Sequence, residues 1–307
     1  MQGIVTKSTG SWYKVRTKEG QTHECRIKGK FRLKGIKSTN PVAVGDLVEF
    51  DLEPKSDLGV IKKIYERKNY IVRKSVNLSK QTHIIAANID IAFLIVALIN
   101  PKTHTAFIDR FLASAEAYRI QSIILFNKID LYNEELQAEK EYLKTLYKNI
   151  GYTCIDISAT EGTNIDQVKT LMQDKTSLFS GHSGVGKSTL INALEPHLNI
   201  KTKPISESHN QGAHTTTFAE MHALTFGGYI IDTPGIKGFG VFDFFKEEIG
   251  DYFLEIFAVK GDCKFNNCLH LNEPKCAVMQ AVEEGKISES RYYNYLQMIN
   301  EEEGPYR

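Results

Sequence analysis

The chain has 307 residues, 42% of them apolar and 24% charged, with 38 Lys and Arg against 37 Asp and Glu. Those proportions belong to a globular protein with real cores, and the length admits two or three domains. No apolar run approaches the roughly 20 residues that a bilayer span needs, and Met1–Gly10 is too polar for a signal-peptide core. The expectation is a cytoplasmic monomer with no membrane partner.

The near-neutral total hides an asymmetry. Residues 1–75 carry 17 Lys and Arg but only 8 Asp and Glu, so a basic N-terminal region precedes an acidic remainder. A basic terminal domain points to a polyanionic partner. Short alternating runs (Trp12–Arg16, His23–Lys28, Val44–Phe50, Gly59–Ile61) lie between turns rich in Gly and Pro. Several short strands with little helix predict a small barrel, and the basic bias makes the OB fold the natural form of it. Lys28, Lys30, Arg32, Lys34 and Lys37 cluster in one loop around Phe31. Phosphate contacts from such a loop are salt-dependent and indifferent to base sequence. Trp12, Tyr13 and Phe31 are candidates for base stacking, although aromatics in a small barrel more often fill its core.

Ile64–Lys80 reads as the join to a second domain, in which strand and helix alternate from Asn88 onward. Ile89–Ala97 is an almost unbroken apolar run, as expected of a strand buried on both faces. A helix is predicted over Phe107–Tyr118 and a strand over Ser122–Phe126. Directly after that strand stands Asn127-Lys128-Ile129-Asp130. A carboxylate there can accept from both N1–H and the 2-amino group of guanine, whereas adenine offers neither donor. Hydrogen bonds to a charged group contribute about 1.5–3 kcal/mol each, enough to choose GTP over ATP. A charged helix (Glu134–Asn149), a strand (Tyr152–Ile157), the pair Ser158-Ala159 and a helix (Asn164–Met172) follow. Ser158 and Ala159 form a second loop on the base side.

The strand Thr176–Phe179 then leads into Gly181-His182-Ser183-Gly184-Val185-Gly186-Lys187-Ser188, with Thr189 and an apolar helical run beyond. This is G-x-x-x-x-G-K-[ST] in its strand–loop–helix context. The glycines let successive N–H groups face a phosphate chain at a helix N-terminus. Lys187 is placed to reach the β- and γ-phosphates, and the Ser188 hydroxyl to ligate Mg²⁺. Pro196–Thr217 is long, polar and rich in Ser, Thr and His, as expected of a switch ordered by the γ-phosphate. Asp232-Thr233-Pro234-Gly235 closes the set, with Asp232 on the Mg²⁺ side and the Gly235 N–H toward the γ-phosphate. Ligands of doubly wound α/β domains bind outside the carboxyl ends of the strands, where all of these loops fall. Isoleucine follows Gly235, where many GTPases place a water-orienting glutamine. Slow intrinsic hydrolysis is therefore expected, with His214 as one candidate for handling water.

Cys263, Cys268, His270 and Cys276 lie within fourteen residues. Three thiolates and an imidazole make one closed tetrahedral shell, the donor set of a single structural Zn²⁺. Cys25 and Cys154 read as small buried residues. Helical character from Ala277 to about Glu302 implies a helical C-terminal domain around the metal.

The order of the loops is unusual for a GTPase. The guanine loops come first, and the phosphate loop and D-T-P-G follow, so the chain is circularly permuted. In this order, with the Cys-Lys-Phe, Cys-x-His and Glu-Pro-x-Cys pattern at the metal loop, the chain resembles the RsgA family of GTPases that depend on the small ribosomal subunit. The resemblance implies an OB-fold RNA-binding domain over 1–75, a permuted P-loop GTPase domain over 76–240 and a zinc-binding helical domain over 241–307. It also implies contacts with rRNA of the small subunit in late assembly, and hydrolysis of GTP to GDP stimulated by that subunit. Gly212–Thr217 resembles the family's switch element; one of its threonines is expected to close the Mg²⁺ shell, and Thr216 is the choice among them. Ala213 replaces the usual basic residue there. Two other readings are a GTPase acting on another structured RNA, such as a tRNA, and an RNA-binding module that uses GTP only as a ligand.

Overall fold

The structure, a computed structural model, describes residues 1–27, 41–54, 56–74, 82–200, 219–232 and 245–300. The chain opens with β1 (Gln2–Ser8), β2 (Tyr13–Thr17), β3 (Thr22–Ile27), β4 (Leu47–Leu52) and β5 (Gly59–Ile64). Hydrogen bonding runs β1-β2-β3-β5-β4 and returns from β4 to β1, which closes a five-stranded barrel. The β3–β5 pair is parallel and the other pairs are antiparallel, the strand order of an OB fold. Alternation along β2 turns Tyr13 and Val15 inward, where they meet Val5, Cys25, Val48, Phe50 and Ile61 in one core. Tyr13 is thus a core residue, while Trp12 keeps 48% of its surface exposed. The strand β1 gives no clean alternation in the sequence, because its register shifts between Val5 and Lys7.

Below the barrel a buried ion pair sets the chain path. The Arg67 guanidinium donates to both oxygens of Asp46 at 2.6 Å and to the Pro41 carbonyl at 2.8 Å. Asp46 in turn accepts from the Ala43 amide at 2.8 Å. With both Asp46 oxygens engaged, the desolvation cost of burial is offset by bidentate hydrogen bonding. The predicted join, Ile64–Lys80, holds β6 (Tyr70–Lys74), which pairs antiparallel with β7 (Thr82–Ala87) just beyond it.

The alternating region then unfolds as β8 (Ile91–Val96), α1 (Thr105–Ala117), β9 (Gln121–Phe126), α2 (Glu134–Ile150), β10 (Thr153–Asp156) and α3 (Ile165–Met172). It continues with β11 (Thr176–Ser180), α4 (Lys187–Leu194), β12 (Glu220–Ala223) and β13 (Tyr229–Asp232). The C-terminal part is helical: α5 (Lys246–Ile249), α6 (Leu254–Lys260), α7 (Ala277–Glu283) and α8 (Glu289–Asn300). Among the described residues no helix is long and apolar enough to cross a membrane.

Two compact units emerge. The first draws on Met1–Ala92, Ile165–Ser180 and Ser188–Gly238, the second on Phe93–Asn164, Gly181–Lys187 and Phe239–Arg307. In the first, β11 pairs parallel with β13, β13 antiparallel with β12, and β12 antiparallel with β1. A salt bridge between Lys7 and Glu220 at 2.9 Å marks that last junction, which continues the sheet into the barrel.

In the second unit β10 and β9 are parallel. Every residue of β8 is buried, and each of its larger side chains contributes about 1.5–3 kcal/mol on leaving water. The helix α2 starts on an Asn133 cap, whose side chain accepts from the Leu136 amide. Its Lys140 and Lys144 hold Asp156 of β10 at 3.0 and 2.6 Å.

The C-terminal helices share this unit. Arg291 of α8, fully buried, donates to Asp109 of α1 at 2.7 Å and grips both oxygens of Glu255 of α6 at 2.6 and 3.0 Å. Asn294 and Tyr147 complete the shell of Asp109 at 2.6 and 2.8 Å. Burial pushes the Asp109 carboxyl above its usual range, opposed by the Arg291 charge.

Candidate nucleotide site and metal centre

The base-side and phosphate loops meet within the second unit, and Asn127 is where they join. Strand β9 is buried up to Phe126, so its last turn delivers Asn127 into the interior, 2% exposed. The side chain donates to the Val185 carbonyl in the phosphate loop at 2.8 Å, and its oxygen accepts from the Ala159 amide at 3.1 Å. One residue thus ties N-K-I-D, the phosphate loop and the Ser158-Ala159 loop together. Gly186 makes that possible, because its φ is +98° and a Cβ there would stand 2.3 Å from the Asn127 amide nitrogen. Gly181 is also tightly held: a Cβ would lie 2.8 Å from the Ile95 carbonyl oxygen.

Lys128, in the left-handed region at φ 65°, points its ammonium back over the phosphate loop. It donates to the Gly184 carbonyl at 2.7 Å and to the Asn100 carbonyl. Burial lowers its pKa, partly opposed by Asp130. Asp130 lies in a single 3₁₀ turn, Ile129–Leu131, and is exposed. A base entering there meets a solvated carboxylate with two acceptor oxygens. Ser158 is buried, and its hydroxyl accepts from the Glu161 amide at 3.0 Å, which shapes the loop that presents Ala159.

The phosphate loop follows the buried strand β11. Val185 packs into the core with no exposure, while His182, Ser183 and Gly184 lie on the open side. The His182 ring rests on Phe107 of α1, with ring centroids 3.8 Å apart. Lys187 begins α4, with Ser188 and Thr189 in its first turn, so backbone N–H groups and the positive helix end converge on the loop. Asp232 ends β13, the parallel neighbour of the strand that feeds the loop. Its side chain, Gly235, the switch residues His214 and Thr216, and the loop with Lys28, Lys30, Arg32, Lys34 and Lys37 lie outside the described residues.

The four candidate metal ligands converge. The donor atoms of Cys263, Cys268, His270 and Cys276 all lie within 4.8 Å of one another. His270 Nδ1 is 3.6 Å from Cys263 Sγ and 3.4 Å from Cys276 Sγ, and those two sulfurs are 3.9 Å apart. Tetrahedral zinc with Zn–S near 2.3 Å and Zn–N near 2.0–2.1 Å requires S···S of about 3.8 Å and S···N of about 3.5 Å. The donor set therefore fits a tetrahedral metal, with all four positions taken by protein.

Residues beyond the ligands shape this loop. Glu273 accepts from the Leu269 and Leu271 amides at 2.7 Å and from that of Asn272 at 3.1 Å. Tyr292 and Tyr295 of α8 donate to the His270 and Leu269 carbonyls at 2.6 and 2.9 Å. Cys276 also caps α7, accepting from the Met279 amide. Beneath lies a core of Ile249, Phe253, Ile256, Val278, Ala281, Ile287 and Ile299. Cys25 and Cys154 are buried free thiols.

Glu273, Tyr292, Tyr295 and the Asp109–Arg291 pair are shaping residues beyond those expected from the sequence. Only Glu273, in the Glu-Pro-x-Cys pattern, carried a signal.

Comparison with known proteins agrees with this geometry. The profile of the RsgA GTPase family matches residues 64–242, and that of the RsgA N-terminal domain matches residues 2–61. A protein of Christiangramia forsetii named small ribosomal subunit biogenesis GTPase RsgA is 63% identical over 309 residues, covering 100% of this chain and 98% of its own. A Flavobacterium psychrophilum protein of the same name is 60% identical, covering 100% of this chain and 95% of its own. Among solved structures, YjeQ from Thermotoga maritima aligns with a TM-score of 0.78 at 36% identity, over 97% of this chain and 96% of its own. YloQ, described as a circularly permuted GTPase, aligns at 0.75 and 32% identity, over 97% and 93%.

Proposed function

This chain belongs to the RsgA family of GTPases, and from that premise we propose that it is a GTP hydrolase that binds the small ribosomal subunit and acts as a switch late in its assembly. The observation that carries the reading is Asn127, which joins the guanine-side loops to the phosphate loop through two hydrogen bonds. In the bound state Asp130 reads the guanine edge, the phosphate-loop amides and Lys187 hold the β- and γ-phosphates, and Ser188, Asp232 and Thr216 ligate Mg²⁺. His214 attends the attacking water. Ile236 can neither orient nor deprotonate that water, so turnover is slow until the subunit completes the site.

The metal is a single structural Zn²⁺, since no coordination position is left for water. The barrel contributes RNA contacts through Lys28, Lys30, Arg32, Lys34 and Lys37. The protein works in the cytoplasm as a monomer.

Sedimentation with purified subunits tests the partner. With a non-hydrolysable GTP analogue the protein should pellet with small subunits and not with large ones. Neutralising the five loop cations should weaken binding at least about tenfold and flatten its salt dependence by about 3–5 units of log–log slope. Equal binding to both subunits, or preferential binding to tRNA, would overturn the assignment of the partner.

A further inference from the structure

The turn that carries Asp130 is fastened at its far end by a residue outside the nucleotide motifs. Tyr132 is buried at the end of the 3₁₀ turn. Its hydroxyl donates to the Asn127 carbonyl at 2.8 Å and accepts from the Leu98 amide at 2.9 Å. A phenol has one proton to give, and here it goes to the first residue of N-K-I-D. The oxygen simultaneously receives the N–H of the segment that follows β8. That segment is itself fixed: the Thr103 amide donates to the Ala97 carbonyl at 2.7 Å, and the Thr103 hydroxyl accepts from the Ala97 amide at 3.2 Å. It also supplies the Asn100 carbonyl that receives Lys128, and Pro101, which faces Gly184 in the phosphate loop. Leu98–Thr103 therefore braces the base turn at two points, through Tyr132 and through Lys128.

We propose that Tyr132 is a positioning residue for guanine recognition, its hydroxyl holding the Asn127–Asp130 turn against the segment after β8 so that the Asp130 carboxylate meets the base in register. This deepens the GTP-binding reading of the site and rests on it. The physical ground is that Asp130 itself lies on an exposed turn of three residues. A carboxylate so placed selects a base only if its backbone is held, since ordering a free turn at the moment of binding costs conformational entropy. Asn127 cannot do this alone, because its side chain already serves Val185 and Ala159.

Tyr132→Phe is the test, because it keeps the ring and removes only the hydroxyl. It leaves the Leu98 amide and the Asn127 carbonyl without their partner. GDP and IDP affinities are measured for the full chain, together with its unfolding temperature. IDP retains N1–H but lacks the 2-amino group, so it depends less on the placement of Asp130. GDP binding should weaken about tenfold, the scale of one buried hydrogen bond left unmade, and the preference for GDP over IDP should narrow about threefold or more. In an Asp130→Asn background the same change should leave the GDP-to-IDP ratio where it was, since the group being positioned is gone.

Equal weakening of both nucleotides, or a lower unfolding temperature with unchanged binding, would overturn the proposal while leaving the guanine reading intact. A wild-type chain with no preference for GDP over IDP would remove that reading itself, and the proposal with it.

Discussion

Replacing Asp130 with asparagine is expected to turn a guanine-nucleotide protein into one that prefers xanthine nucleotides. Guanine presents two donors, N1–H and the 2-amino group, and the Asp130 carboxylate can accept both. Asparagine offers one acceptor and one donor, so its NH₂ would confront the 2-amino group. Xanthine carries a carbonyl at that position and restores the match. Two hydrogen bonds to a charged group, each about 1.5–3 kcal/mol, correspond to about a hundredfold to ten-thousandfold weakening of GDP. Asp130 is exposed and lies in a short surface turn, so the substitution should leave folding intact. Titration of the variant with fluorescent GDP and XDP checks this. Undiminished GDP affinity in Asp130→Asn would mean that the base is read elsewhere.

The second large effect belongs to the metal. Replacing Cys276 with serine, or stripping the metal with a chelator, should unfold the metal loop and α7 and loosen α8. Apparent binding energies of structural Zn²⁺ are about 10–16 kcal/mol at neutral pH, whereas a whole domain is typically stable by about 5–15 kcal/mol. Here the metal loop is pinned on one side by Glu273 and on the other by Tyr292 and Tyr295 of α8. Losing the central ion releases both attachments, and Cys276 also gives up its cap on α7. Expected results are loss of one equivalent of zinc by elemental analysis, a fall in helical circular dichroism and faster proteolysis of the C-terminal helices. The Arg291–Asp109 pair should keep α8 partly docked, so the phosphate-loop region should stay folded. Retention of full helicity after complete metal removal would contradict a structural role.

The parts of this molecule that could be read from its sequence share a physical cause. A run such as Ile91–Val96, buried at every position, shows itself because burial on both faces demands unbroken apolar character. The phosphate loop and Asn127–Asp130 show themselves because close backbone approach and base chemistry leave few residue choices. Cys263 through Cys276 shows itself because metal donors are rare and must sit near one another.

What stayed hidden depends on partners far away in the chain. Nothing near Arg291 signals that it is buried, since its partners Asp109 and Glu255 lie 182 and 36 positions off. Strand β1 gives no clean alternation because a register shift between Val5 and Lys7 breaks its period, leaving Gly3, Val5 and Ser8 buried, and its pairing with β12 joins Lys7 to Glu220. Tyr132 carries no signal in the residues beside it. Its hydroxyl bonds become visible only when β8 and β9 lie side by side.

Completion of the GTPase site by the small ribosomal subunit should be visible in steady-state GTP hydrolysis. The rate is measured for the protein alone, with small subunits, and with large subunits, and the same series is run for Lys187→Ala. Completion in trans predicts slow turnover alone, at least about tenfold stimulation by small subunits only, consistent with transition-state groups supplied by a partner, and none in Lys187→Ala. Tight GTP binding with no stimulation by small subunits, or equal stimulation by both, would contradict it.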